Sequence, residues 1–183
     1  MWVAIKRVGN LDVVVFRGSV TPEDWVRDFL AIPRTTRHPE LGVVHAGFFL
    51  GMVSATTWVA QQLRPGAEVA ITGHSLGAAR AWLHAGLMLH WKTLVRVVVF
   101  GSPKPAFAEL AKRIAVAGIS TTSYRNATPL GHDRVTDLPF TIEPELPWRQ
   151  PVPLTDISVP PDAGDTGDFR FHHIGEYEKG AAG

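Results

Sequence analysis

Gly73-His74-Ser75-Leu76-Gly77 has the residue types and spacing of a turn that presents a serine hydroxyl as a nucleophile. A β-branched run at 69–73 leads into these five residues, and an alanine-rich apolar stretch suited to a helix follows. Gly73 and Gly77 are the residues such a strand–turn–helix needs, because side chains two positions either way would meet backbone. The turn also aims a helix N-terminus, with its free amides and positive dipole end, at an oxygen gaining negative charge. That chemistry is acyl transfer through a covalent serine adduct. His74, inside the turn, is expected to shape it. The competing reading is a glycine-rich helix start with a capping serine.

A serine at neutral pH needs a general base, and the base needs a partner that fixes its tautomer. The histidines well downstream of Ser75 are His132, His172 and His173. The adjacent pair follows a strand-like stretch at 168–171 and comes late enough for the order serine, acid, histidine. Asp133, Asp137, Asp156, Asp162, Asp165 and Asp168 are all candidate acids. Asp133 falls on a loop beyond a strand end, where sites gather in open α/β sheets. Asp162, Asp165 and Asp168 read as turn residues of a Gly/Asp-rich loop. A metal role for His172 and His173 is disfavoured, since neighbours on a strand point to opposite faces.

The elements that must position these groups alternate. Residues 3–7 and 12–16 form a predicted hairpin about Gly9-Asn10, the second run β-branched as if buried on both faces. Thr21 and Pro22 open a short predicted helix through Trp25 and Phe29. Residues 33–42 read as a loop, and 48–63 as a helix stopped by Arg64-Pro65-Gly66. Then come strand 69–73, helix 76–91, strand 95–101, helix 105–117 and strand 119–125. This order predicts an α/β fold, a mostly parallel sheet flanked by helices. Prolines at 144, 147, 151, 153, 160 and 161 leave extended, edge-like segments between 140 and 161.

The 183 residues suit one domain over 1–183. A net charge of +1 with no basic run offers nothing to nucleic acid, and the absence of cysteine excludes disulfides and thiol catalysis. No 18-residue apolar stretch suggests a membrane span. The opening MWVAIKRVG lacks the form of a secretory leader, so a soluble chain is expected, in the cytoplasm or exported.

These segments together resemble the class 3 lipases, the fungal triacylglycerol lipase type. VVVFRGS (13–19) with Asp24-Trp25 and Asp28 is similar to that family's oxyanion strand and lid region. Val44-His45-Ala46-Gly47-Phe48 is similar to its V-H-x-G-F helix entry, ITGHSLGAARA (71–81) to its nucleophile turn, and VVVFGSPKPA (97–106) to its next strand. RNATPLGHDRVTDLP (125–139) and HHIGEY (172–177) complete the likeness. The resemblance implies an α/β-hydrolase fold, Ser75 as nucleophile, Asp133 as acid, and His173 as base through an H-x-G register with Gly175. It implies oxyanion amides from Ser19 and Leu76, with Asp28 supporting Ser19. Segment 20–32 becomes either a short lid presenting Trp25 and Phe29 to lipid or an ordinary amphipathic helix. Two departures stand out. Arg134 and Thr136 replace the prolines usual beside the acid, leaving Asp137 open, and the helix that usually precedes the first strand is lacking.

The implied activity is hydrolysis of carboxylic esters of lipids, with no cofactor or metal. The partners would be a small ester or lipid substrate and, transiently, a lipid interface. Phospholipase A1 or acyltransferase chemistry uses the same three residues, and a non-catalytic lipid-binding module is the alternative of another class.

Overall fold

A computed structural model of the chain describes residues 2–19, 35–91, 93–139, 148–160 and 170–181. β1 (Val3–Val8) and β2 (Leu11–Phe16) form the expected hairpin, with Gly9 at φ 56° in the turn. Where a loop was expected, β3 (Thr35–His38) and β4 (Gly42–His45) pair antiparallel. The helix expected at 48–63 is two, α1 (Ala46–Phe49) and α2 (Met52–Gln62). Gly51, at φ 76°, takes the left-handed conformation that separates them. β5 (Glu68–His74), α3 (Leu76–Met88), β6 (Leu94–Phe100), α4 (Ala108–Val116) and β7 (Ser120–Thr128) follow as the alternation predicted. β8 (Gly131–His132), a 3₁₀ turn (Arg134–Asp137), β9 (Leu154–Ile157) and α5 (Ile174–Ala181) complete the elements. The short helix expected from Thr21, with Trp25, Asp28 and Phe29, lies outside the described residues.

The main sheet runs β1-β2-β5-β6-β7-β8, with β9 also on β7. β2, β5, β6, β7 and β9 are parallel; β1 and β8 pair antiparallel with their neighbours. All the parallel strands therefore present their C-terminal ends to one edge, the place where α/β sheets collect ligands. β2 is not buried on both faces as its composition suggested. Asp12, Val14 and Phe16 are buried, while Leu11, Val13 and Val15 are half-exposed, the two-residue alternation of a strand with one covered face.

The covered face carries the core. Val14, Phe16, Val69, Ile71, Val97 and Val99 pack with Met52 and Val59 of α2, Leu110 and Ile114 of α4, and most of α3. The small residues Ala78, Ala79, Ala81 and Ala85 bring α3 close against the sheet. At the far end of β2, buried Asp12 takes the backbone amide and guanidinium of Arg64 at 2.9 and 2.8 Å, fastening the end of α2 to the hairpin. Among the described residues no helix is long and apolar enough to cross a membrane.

Three histidines are held in places that disfavour their charge. Burial depresses His84 on α3 to about 3, His45 to about 4, and His74 to about 3 with help from neighbouring His172. His84 Nδ1 bonds the Thr56 hydroxyl at 2.9 Å, and its ring lies 5.0 Å from that of Phe16. As pH falls below about 6.5 the unfolded chain binds protons at all three while the native protein does not, so stability is complete above that value and lost below it. At one unit of about 1.4 kcal/mol each, pH 5.5 should cost roughly 4 kcal/mol, a large part of a typical domain's stability. Urea unfolding at pH 7.5 and 5.5 checks this. His84→Asn, which keeps a donor toward Thr56 and cannot titrate, should remove about a third of the difference; equal midpoints at the two pH values would contradict the account.

Candidate active site

The turn after β5 has the strained geometry its sequence requires. Ser75 is at φ 59°, the single non-glycine residue with positive φ among the described residues. Its amide donates to Phe100 O at 3.0 Å, holding the turn against the end of β6. A Cβ on Gly73 would collide with the backbone of Gly77, and one on Gly77 with the carbonyl of Phe16. Ser75 O accepts the amides of Ala78 and Ala79 at 2.9 and 3.3 Å, leaving Leu76 and Gly77 as the free amides of the α3 N-terminus.

The segment after β2 lies directly alongside. A Cβ on Gly18 would stand 2.8 Å from His74 O and 3.4 Å from Ser75 Cβ, so only glycine lets Ser19 follow so near the hydroxyl. Ser19, next to Gly18, and Leu76, next to Ser75, thus belong to two elements that meet at the serine. Asp28, expected to support Ser19, lies outside the described residues.

Asp133 is fully buried between β8 and the 3₁₀ turn. One carboxylate oxygen accepts the amide of Val135 at 2.9 Å; the other accepts His172 Nδ1–H at 2.7 Å and the hydroxyl of Tyr177. Burial alone would raise its pKa, but His172, Tyr177 and the Val135 amide outweigh it and hold the carboxyl below its ordinary value. Thr136, which stands where the family favours proline, closes the loop differently: its hydroxyl donates to Asp133 O at 2.7 Å. Asp137, the open alternative, points elsewhere, pairing with His132 Nε2 at 2.8 Å.

His173 was the base expected from the sequence, but the histidine placed against Asp133 is its neighbour, His172. His172 is the buried histidine against Asp133, whereas His173 is exposed and its carbonyl accepts the first-turn amide of α5 from Glu176. The physical reason is local. Arg170-Phe171 form a turn rather than a strand, and the direction in which that turn delivers the chain leaves His172 buried and His173 exposed. A carboxylate can only accept, so His172 Nδ1 carries a proton, and the lone pair of the neutral ring is the one on Nε2. Among the described residues neither buried His172 Nε2 nor buried Ser75 Oγ has a hydrogen-bond partner. His74 spans the two groups: its Nε2–H donates to His172 O at 2.8 Å, and its ring stacks on that of His172 at 4.6 Å.

Two residues of this arrangement were not read from the sequence. Gly101, at φ 55°, follows the strand-end Phe100; a Cβ there would sit 2.7 Å from Asp133 Oδ2 and 2.9 Å from the His172 ring. The signal was present in F-G-S-P, a glycine directly after a β-branched strand. Tyr177 carried no comparable signal, being one aromatic on a short helix. Its hydroxyl accepts Asn126 N at 3.2 Å while donating to Asp133, and burial with the adjacent carboxylate pushes its own ionisation far up, so it stays a donor. Tyr177→Phe should lower kcat/KM by about ten-fold, the scale of a hydrogen bond to a buried charge. It should also move the acid limb of the rate profile to higher pH, because Asp133 loses a donor that favours its ionised form. An unaltered pH profile would remove Tyr177 from a positioning role.

A serine in a strained turn at a strand end, beside a buried aspartate–histidine pair on a mostly parallel sheet with flanking helices, is the arrangement of an α/β-hydrolase. The profile of the family Lipase (class 3) matches residues 13–143, and the chain belongs to that family. It is similar to a phospholipase A1, chloroplastic/mitochondrial, from Oryza sativa subsp. indica, at 27% identity over 92% of this chain and 47% of that protein. Among solved structures, the triacylglyceride lipase of Rhizomucor miehei superposes with a TM-score of 0.62 at 25% identity, covering 76% of this chain and 56% of that one. The mono- and diacylglycerol lipase from Aspergillus oryzae has the same fold, with a TM-score of 0.66 at 24% identity over 88% of this chain and 59% of that one. The chain thus spans about half the length of the curated relative it matches.

Proposed function

We propose that this protein, as one domain over residues 1–183, hydrolyses carboxylic esters of lipids through Ser75, His172 and Asp133. The observation that carries the reading is the 2.7 Å contact from His172 Nδ1 to buried Asp133, because it frees Nε2 to take a proton. In the first half-reaction Ser75 Oγ bonds to the acyl carbon as its proton passes to His172 Nε2. The carbonyl oxygen, now negative, is held by the amides of Ser19 and Leu76. The acyl–oxygen bond then breaks, and His172 returns its proton to the leaving alcohol. Water repeats the sequence on the acyl-enzyme, losing one proton to His172 and releasing the carboxylic acid and free Ser75. Asp133 holds the imidazole in register and stabilises its charged form throughout.

The family membership supports an acylglycerol ester as substrate. The rice relative's name supports a second reading, cleavage of a phospholipid at an acyl ester, which needs no change in the three residues. Hydrolysis of p-nitrophenyl butyrate, an emulsified triacylglycerol and a diacyl phospholipid separates these. Turnover of the first with either lipid supports the reading and assigns the head group. Added alcohol diverting the acyl group away from water would mark an acyltransferase, and failure of Ser75 to react with a fluorophosphonate would turn the proposal towards a binding module.

A further inference from the structure

We infer that Gln150 is a positioning residue for the acid: its amide ties the turn that follows Asp133 to the segment that follows β6, and so seats the carboxylate against His172. The inference rests on the ester-hydrolase reading of Ser75 and adds what keeps the acid in register.

Gln150 Nε2 donates twice, to Ser102 O at 2.7 Å and to Thr136 O at 2.9 Å. Carbonyls can only accept, which fixes the amide with its nitrogen towards both. Its own oxygen is buried without a partner among the described residues, so the two donated bonds alone orient the group. Thr136 is one step from the acid, since its amide and hydroxyl both donate to Asp133 O, at 3.3 and 2.7 Å. Ser102 approaches from the other side. It follows Gly101, whose missing Cβ leaves room for Asp133 Oδ2 and the His172 ring. One side chain thus joins the loop that carries the carboxylate to the backbone the carboxylate rests on.

The end of the 3₁₀ turn needs donors from outside, because its last carbonyls have no partner within it. Three in succession are taken by other segments. Thr136 O accepts Gln150, Asp137 O accepts Lys104 Nζ at 2.6 Å, and Leu138 O accepts the Lys104 amide, also at 2.6 Å. Gln150 is itself held by its neighbours. Trp148 is buried, its ring edge-on to that of Phe107 with centroids 4.8 Å apart, and Arg149 N donates to Ala106 O at 2.9 Å. A fixed strap therefore bears on the acid through Thr136 and Ser102, not on the substrate.

The test is Gln150→Met, which keeps the length of the side chain and removes both donors. With p-nitrophenyl butyrate, kcat should fall at least about ten-fold while KM stays within about two-fold, a misplacement of about 1 Å being worth up to about 10² in rate. The downfield proton resonance of His172 Nδ1–H, identified by its loss in His172→Asn, should move upfield or vanish, because it reports the contact with Asp133. An unchanged kcat, a loss carried by KM instead, or a His172 resonance that does not move would each overturn the inference. If Gln150→Met does not fold, Gln150→Asn, which draws the same amide back by one bond, decides on the same readings. If the unaltered protein turns over no ester, the reading of Ser75 fails separately. The His172 resonance then decides alone: displaced in the variant it keeps Gln150 as the acid's strap, and unmoved it ends the assignment.

Discussion

Replacing Ser75 with alanine is expected to lower ester turnover by about 10⁶-fold, the scale seen when a nucleophile is removed from a group that works as a unit. The hydroxyl is buried without a hydrogen-bond partner among the described residues, and the residue sits in a strained conformation at φ 59°. Deleting an unsatisfied buried hydroxyl relieves a desolvation cost. The alanine protein should therefore be as stable as the parent or slightly more so, and inert. Parallel urea unfolding and p-nitrophenyl ester assays read both halves. Activity surviving in Ser75→Ala would discard the mechanism whatever the stability result.

The second large effect separates two neighbours. His172→Asn keeps a donor in the position of Nδ1, so Asp133 stays satisfied, but removes the nitrogen proposed to take the proton. Turnover should fall by about 10⁴- to 10⁶-fold with the fold intact. His173→Asn, at an exposed position, should leave turnover within a few-fold, as surface substitutions usually do. The opposite pattern would restore the reading based on the H-x-G register. Equal losses in both would mean that the segment entering α5, rather than one imidazole, is what the site needs.

That contrast marks the boundary of what was legible in the sequence. The β5–α3 turn could be read because its constraints are local: β-branched residues make the strand, and glycines clear the turn. The same holds for the β1–β2 hairpin, set by Gly9-Asn10. Asp133 was legible from its place beyond a strand end, though distinguishing it from Asp137 required seeing which carboxylate faces His172 and which faces His132. His172 was missed because the choice between adjacent histidines depends on a turn at 170–171 whose direction no neighbouring residue type dictates. The β3–β4 hairpin was missed for a related reason. Its polar sequence shows little strand pattern, but β4 is stitched to a distant segment: His45 N donates to Pro105 O and Phe107 N to Val43 O, at 3.0 and 2.9 Å. The division of the 48–63 helix at Gly51 was visible as a glycine but not as a break, since an isolated glycine is tolerated within helices.

The chain distances inside the site have a temporal side. His74 bonds a carbonyl 98 positions later, and Asp133 meets its phenol donor 44 positions on. A ribosome adding 5–20 residues per second needs roughly 5–20 s to travel from the elbow to the imidazole. Throughout that interval the growing polypeptide carries its alcohol without a proton acceptor. On the proposed mechanism, the nascent chain is harmless to surrounding esters until translation has delivered the segment that carries His172.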